Sequence, residues 1–284
     1  SRKPQVTFSD DIETDLARRD FTVNAIALSL MDMEPIDPHG GLSDLAAGVL
    51  RTPLDPEISF SEDPLRMLRL FRFEGTLGFT GEARTVVAVA EMGERLEIVS
   101  AERIRDELSK LVVAPDAGKA LDRVVASGLA THFLPELPAL AMEQDPHQRH
   151  KDVLAHTLAV VDKTRPELVL RLAALFHDIG KPDTRQFGKD GVSFHHHEVV
   201  GARLTRRRLK ALRYPGEVVA DVSRLVFLHL RPHTLKMGWT DSAVRRYVRD
   251  AGELLPYLNE LVRCDVTTAN PRRARAVKNR IDEL

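Results

Sequence analysis

Two groups of residues carry chemistry at informative spacing. The first runs Ser61-Glu-Asp-Pro-Leu-Arg-Met-Leu-Arg-Leu-Phe-Arg-Phe73. Pro64 suits a first helical turn, where its missing N–H costs nothing, and Ser61, Glu62 and Asp63 put acceptors and negative charge at that end. Arg66, Arg69 and Arg72 recur every third residue as a slowly drifting stripe, which leaves Leu65, Leu68, Phe71 and Phe73 to bury the other side. Asp63 and Arg66 together offer two acceptor oxygens beside a planar fork of donors, the complement of a nucleobase edge. Arg69 and Arg72 below them suit phosphates. A surface helix with one Asp–Arg pair and solvated arginines accounts for the same letters.

The second group is histidine-rich: nine of the 11 histidines fall between His147 and His233. His156 is expected on a helix beginning near Asp152. His177-Asp178 closes an apolar helix, Leu168 to Phe176, and Gly180-Lys181-Pro182 follows as a stop signal. His195, His196 and His197 precede a helix starting near Glu198, and His229 and Asp265 fall on later helices. Imidazoles and carboxylates that converge in a bundle can hold divalent metal. A single neutral histidine is equally at home as a hydrogen-bonded core or surface residue, and His147 with His150 reads as a surface pair on a loop.

The elements that must position these groups are mostly helices. Gln5 to Phe8 alternates as a strand does, and Ser9 and Asp10 then cap a helix carrying Arg18 and Arg19. Residues 15 to 27 place Arg18, Arg19, Asp20 and, one turn on, Asn24 against an apolar side of Phe21, Ile26 and Leu28. Ala27 to Ile36 suits one or two short strands, and the turn-rich Ile36-Asp-Pro-His-Gly-Gly-Leu-Ser-Asp-Leu45 leads into a helix. From 42 to 145 helices follow one another between prolines and glycines. Val86, Val87, Val89, Ala90 and Leu96 form one apolar face, and Glu102, Arg103 and Glu107 read as a solvated set of helical ion pairs. A change of composition near 140 to 147 marks a boundary.

Composition bounds the rest. The chain has 284 residues, 43% hydrophobic and 29% charged, which is ordinary globular usage with room for two or three domains. No apolar run approaches the ~20 residues of a membrane span and no signal-peptide pattern opens the chain, so no membrane partner is expected. Cys264 is the single cysteine, which fits a reducing cytoplasm. A net charge of −1 does not advertise a nucleic-acid binder, so local patches must carry that role. Arg203, Arg206, Arg207, Arg208, Lys210 and Arg213 crowd one helix; Arg245, Arg246 and Arg249 mark another; Arg272, Arg273, Arg275, Lys278 and Arg280 load the last stretch. Such clusters suit phosphate contacts to an A-form stack, and equally suit helix solubility. Trp239 reads as packing at a helix start capped by Thr240.

Taken in order, Arg-Arg-Asp-Phe-Thr-x-Asn-Ala at 18, Asp-Pro-x-Gly-Gly at 37, Glu-Asp-Pro-Leu-Arg-x-x-Arg-x-x-Arg-Phe at 62 and Glu-Arg-Ile-Arg-Asp-Glu-Leu at 102 resemble the class II nucleotidyltransferases, that is the CCA-adding tRNA nucleotidyltransferases and bacterial poly(A) polymerases. The histidine-rich half resembles the HD phosphohydrolases, and Phe194-His-His-His-Glu-Val-Val-Gly-Ala is closest to the actinobacterial CCA-adding type. The resemblance implies a mainly α fold: the end of an α/β nucleotidyltransferase head (1–45), an all-α neck (46–145), an all-α HD domain (146–270) and the start of a basic C-terminal body (271–284). It implies template-independent completion of the tRNA 3′-CCA end from CTP and ATP with Mg²⁺, with a poly(A) polymerase or a partial CC- or A-adding enzyme as alternatives. In that scheme Asp63 and Arg66 mimic a pairing base, Arg69 and Arg72 approach the triphosphate or support the pocket, Arg19 and Asp20 hold the ribose and order the site, and Asn24 belongs to the same pocket. His156, His177, Asp178 and Asp265 ligate a divalent metal, with His197 and His229 as further positions. Arg206, Arg207, Lys210, Arg245, Arg246, Arg272 and Arg273 are the candidate tRNA contacts. An Asp-x-Asp pair for Mg²⁺ occurs nowhere in the 284 residues and is expected upstream of Ser1. From a different class, a metal-dependent HD phosphohydrolase would use the histidine cluster alone.

Overall fold

The computed structural model describes residues 11–142, 152–188, 191–232 and 240–266. Gln5 to Asp10, His147, His150, Trp239, Arg272, Arg273, Arg275, Lys278 and Arg280 lie outside the described residues. The chain divides into two compact units, Ser1–Phe133 and Leu134–Leu284. The division falls before Leu134 rather than near 145 because Leu134, Leu137 and Leu140 are buried and Glu136 pairs with Arg208, all within the second unit.

The first unit begins with α1 (Ile12–Ala17), whose cap is Asp11, accepting from the backbone N–H groups of Glu13 and Thr14. Arg18 ends that helix, and Asn24 lies not on its next turn but on a separate 3₁₀ turn, Thr22–Asn24. β1 (Ala27–Leu28) and β2 (Pro35–Ile36) pair antiparallel, then α2 (Gly41–Ala47) follows. The Gly-Gly pair has two separate reasons. Gly40 takes a left-handed φ of 72°, and a Cβ on Gly41 would stand 2.1 Å from the Thr22 carbonyl oxygen. Asp37 accepts from the N–H groups of Gly41 at 2.6 Å and Leu42 at 2.9 Å, while Asp44 accepts from the Thr22 hydroxyl at 2.7 Å. The motif therefore pins α2 against the turn that carries Asn24.

β3 (Val49–Leu50), α3 (Pro56–Glu62), α4 (Leu65–Leu77), β4 (Thr80–Gly81), α5 (Ala83–Met92), α6 (Ala101–Val112) and α7 (Ala117–Ala126) follow, with β3 and β4 parallel and 3₁₀ turns at Gly93–Ile98 and Leu129–His132. Helix α4 packs on α6 and α7 through Leu68, Leu70, Phe71, Leu108, Leu111 and Leu121, all fully buried. On α5 the buried face is Thr85, Ala88 and Val89, whereas Val87 and Ala90 face solvent, contrary to the sequence reading.

The second unit contains α8 (Val153–Lys163), α9 (Leu168–Phe176), the short α10 (Lys181–Thr184), a hairpin of β5 (Gln186–Gly188) and β6 (Gly191–Ser193), α11 (His197–Ala211), α12 (Gly216–Leu228), α13 (Asp241–Ala251) and α14 (Leu255–Asp265). Thr240 caps α13, as the sequence predicts, and the helix expected near Asp152 starts there with Asp152 as its cap. Gly180 is no left-handed helix stop, since its φ is −80°. Its role is close approach: a Cβ there would lie 2.2 Å from the His197 carbonyl oxygen and 2.7 Å from the Gly201 nitrogen. The end of α9 and the start of α11 thus touch backbone to backbone, which sets His177-Asp178 against His197. No described helix is long and apolar enough to cross a membrane.

Candidate nucleotide pocket and metal centre

In the first unit Arg18, Arg19, Asp20, Asn24, Asp63, Arg66 and Arg69 line one cavity of about 400 Å³. Six of these are the sequence-predicted binding residues; Arg72, the seventh, stands behind the cavity rather than in it. Arg66 is buried, not on a solvated stripe. It donates to the Ser59 carbonyl (3.2 Å), the Ser59 hydroxyl (2.9 Å) and the Arg18 carbonyl. Its Nη1 also pairs with Glu62 Oε2 at 3.5 Å. Asp63 Oδ1 accepts from the Leu65 N–H at 3.2 Å, and Oδ2 accepts from Arg103 Nη2 at 2.7 Å. Buried Asp20 pairs with Arg69 at 3.0 Å and accepts from Asn24 Nδ2 at 3.0 Å. Arg19 is exposed and pairs with Asp15 at 3.1 Å.

Behind this cavity α6 does what its letters do not announce. Glu107 is buried and accepts from Arg72 Nε at 2.5 Å, with Lys110 at 3.4 Å and Arg69 Nε at 4.0 Å. Arg72 also lies over the Phe73 ring at 3.9 Å. The solvated reading holds for Glu102 and Arg103, which are exposed, Arg103 in an ion pair with Asp63, but fails for Glu107, which is buried and holds Arg72.

In the second unit the predicted residues converge. His156, His177 and Asp178 form one group of possible metal donors, and Asp178, His197 and His229 form another that shares its carboxylate. His156 Nε2 lies 3.0 Å from Asp265 Oδ1 and 3.3 Å from His177 Nε2, and His177 Nε2 lies 3.2 Å from Asp178 Oδ2. Two donors each ~2.1 Å from a common ion stand roughly 3–3.4 Å apart, so these spacings are those of a ligand set. Three rings are locked from behind: the Nδ1–H of His177, His197 and His229 donates to the carbonyl three residues earlier, at 2.7, 2.8 and 2.6 Å. Their Nε2 atoms then face the centre, the arrangement outer partners impose on metal-binding histidines. The Nε2 atoms of His197 and His229 are buried without a hydrogen-bond partner. Such orphaned lone pairs cost free energy unless a ligand takes them up, so the residues present fit a divalent metal.

Electrostatics bear on the same point. Burial disfavours charge on His177, but Asp178 and Asp265 outweigh it and push its pKa up to about 10. Burial likewise opposes the charge of Asp178, yet His177 and Lys181 hold its carboxyl well below the usual range. Lys181 Nζ donates to Asp178 Oδ2 at 2.7 Å. His229, buried and facing His177, is pushed down to about 3 and is the neutral imidazole of the cluster.

Among the basic residues, Arg206, Arg207 and Lys210 on α11 and Arg245 and Arg246 on α13 are all exposed. Arg208 is not part of an open patch, because it pairs with Glu136 at 2.8 Å.

Three families match the chain in order: the Poly A polymerase head domain at residues 1–51, the probable RNA and SrmB-binding site of polymerase A at 78–140, and the HD domain at 152–270. The A-adding tRNA nucleotidyltransferase of Deinococcus radiodurans is 39% identical over 92% of this chain and 61% of its own. The CC-adding tRNA nucleotidyltransferase of Thermus thermophilus is 34% identical over 96% of this chain and 64% of its own. The chain thus spans under two thirds of the length of these curated relatives. The crystal structure of a Bacillus stearothermophilus CCA-adding enzyme in complex with CTP superposes with a TM-score of 0.66 at 27% identity, covering 98% of this chain and 61% of that one.

Proposed function

The chain belongs to the class II tRNA nucleotidyltransferases that carry an HD domain, and from that premise we propose that the whole protein builds or repairs the 3′-CCA end of tRNA from CTP and ATP. The observation that carries this reading is the single cavity lined by Asp20, Asn24, Asp63, Arg66 and Arg69. Cytosine and adenine share an exocyclic amine where uracil and guanine carry a carbonyl oxygen. A carboxylate at Asp63 accepts from the amine and repels the carbonyl, and the Arg66 guanidinium donates to the ring acceptor beside it. A wrong base leaves the buried Arg66 guanidinium facing a group that cannot accept its hydrogen bond, which discriminates more strongly than shape does. Arg69, Arg18 and Arg19 supply the positive charge for a triphosphate. The 284 residues hold no Asp-x-Asp pair, so the chemistry derived from them is selection of the nucleotide and not the transfer itself. The family's transfer step uses Mg²⁺. The exposed arginines and lysine of α11 and α13 suit phosphates of the tRNA stack, and a reducing cytoplasm suits Cys264.

The full-length gene product, given a tRNA transcript lacking its last three residues with labelled CTP, ATP and Mg²⁺, should extend it by three residues and stop. Extension by two cytidines alone, by one adenosine alone, or into a long adenosine ladder would assign the partial or poly(A) activities instead. The histidine cluster favours a second, separable activity, hydrolysis of a phosphoester in the HD domain. A divalent metal held by His156, His177, Asp178 and Asp265, with His197 and His229 beside them, would supply Lewis-acid activation of water there. Asp63→Ala should abolish CTP and ATP selection and leave hydrolysis, and His177→Ala should do the reverse. No extension at all, with hydrolysis dependent on His177, would refute the transferase reading.

A further inference from the structure

Asp265 enters the histidine cluster from a helix whose placement has its own device. On α14, Tyr257, Glu260 and Cys264 fall at i, i+3 and i+7, one stripe along the helix, while Leu258, Leu261 and Asp265 repeat that spacing on the neighbouring stripe. The second stripe buries Leu258 and Leu261 and brings Asp265 Oδ1 to 3.0 Å from His156 Nε2 and 3.6 Å from His177 Nε2. The first stripe is gripped by the turn between α8 and α9. Glu260 accepts from the Arg165 backbone N–H at 2.8 Å and from its Nε at 2.5 Å. The Tyr257 hydroxyl donates to Glu167 Oε2 at 2.5 Å, and Arg165 pairs with Glu167 at 2.7 Å. The turn is itself braced from beneath by buried Arg171, whose Nε donates to the Thr164 and Arg165 carbonyls at 2.9 and 3.2 Å.

An apolar stripe alone does not fix a helix against slippage. Slipping by one residue turns it by about 100° and slides it by roughly 1.5 Å, which removes Asp265 from hydrogen-bond reach of His156. We propose that Arg165, Glu167, Tyr257 and Glu260 form a clasp that sets the rotation and depth of α14 and so positions Asp265 as a metal ligand. The proposal rests on reading the cluster as a metal centre. The four are positioning residues, which act on the cluster through the placement of α14. Since the Arg165 side chain is 54% exposed, its pair adds little to global stability. The clasp's effect is therefore expected in metal affinity rather than in melting.

The test is titration of the protein with Mn²⁺ alone, with free metal read by electron paramagnetic resonance and a thermal melt recorded for each variant. Glu260→Gln and Tyr257→Phe, the latter removing only a hydroxyl, should each weaken Mn²⁺ binding by about 10-fold or more, the range for residues that orient ligands. Melting temperature should hold. Glu136→Gln, which breaks an equally close pair with Arg208 elsewhere in the unit, should leave affinity unchanged. Wild-type affinity in the double variant Tyr257→Phe/Glu260→Gln, alongside loss of binding in His177→Ala, would overturn the clasp alone. No Mn²⁺ binding by the unmodified protein, or binding indifferent to His177→Ala, would overturn the metal centre and the clasp together.

Discussion

Replacing Gly180 by alanine tests whether the metal centre is assembled by backbone contact. The added Cβ would stand 2.2 Å from the His197 carbonyl oxygen, 2.7 Å from the Gly201 nitrogen and 3.0 Å from the His197 carbonyl carbon. All three are backbone atoms, so no side chain can rotate away. Restoring an ordinary 3.4 Å contact parts the start of α11 from the end of α9 by 1.2 Å, the difference between 3.4 and 2.2. Overpacking of this kind costs about 1–3 kcal/mol, which in a domain of this size lowers the melting temperature by about 2–12 °C at roughly 2–4 °C per kcal/mol. The same displacement carries His197, now 3.4 Å from Asp178 Oδ1, out of the ligand set, so divalent-metal affinity should fall with stability. The control is Gly216→Ala. A Cβ at Gly216, the first residue of α12, meets nothing within 4 Å, and that substitution should be neutral or stabilising by about 0.4–1 kcal/mol. Thermal melts with and without Mn²⁺ make the comparison. If Gly180→Ala melts with the wild type and binds metal as tightly, the account of α9 against α11 is refuted.

Further outcomes follow from the other sites. Glu107→Gln leaves Arg72 without its buried partner, and should destabilise the first unit by about 3 kcal/mol in a urea melt, whereas Glu102→Gln, on an exposed position of the same helix, should change it by less than about 0.5 kcal/mol. Stripping metal with a chelator should lower the melting temperature of the second unit, since a ligand at 100 times its dissociation constant stabilises by about 2.7 kcal/mol. His177→Ala should abolish that difference. Arg206→Ala with Arg207→Ala should weaken tRNA binding without altering CTP preference and flatten the salt dependence by roughly one to two units of log–log slope. An unchanged slope would remove α11 from the RNA surface.

What the sequence disclosed and what it withheld divide along a physical line. Spacing along one helix was readable: the start of a helix near Asp152 and the end of the apolar helix at Phe176 stand where periodicity put them. Contacts across elements were not. Gly180 looks like a stop because glycine usually ends helices with a positive φ, and only the neighbouring backbone shows that it is there to be small. Arg165 and Glu260 meet across 95 residues, with nothing local to announce it.

Glu107 is the instructive case, because a clue was present. On α6, Ile104, Leu108 and Leu111 form the buried stripe at i, i+4 and i+7, and Glu107 at i+3 falls inside that arc rather than opposite it. A carboxylate placed among apolar positions must have a partner, since an unpaired charge there is too costly to keep. The cations that reach it are Arg72 and Arg69 of the neighbouring helix and Lys110 of its own. The i, i+4 ion-pair pattern of Arg103 and Glu107 is neutral about burial; the position of each residue relative to the apolar arc is not. By that criterion Arg69 and Arg72 belong to a supported layer and not to a solvated face, and that layer holds the hydrogen-bonding groups of the cavity beside them in order.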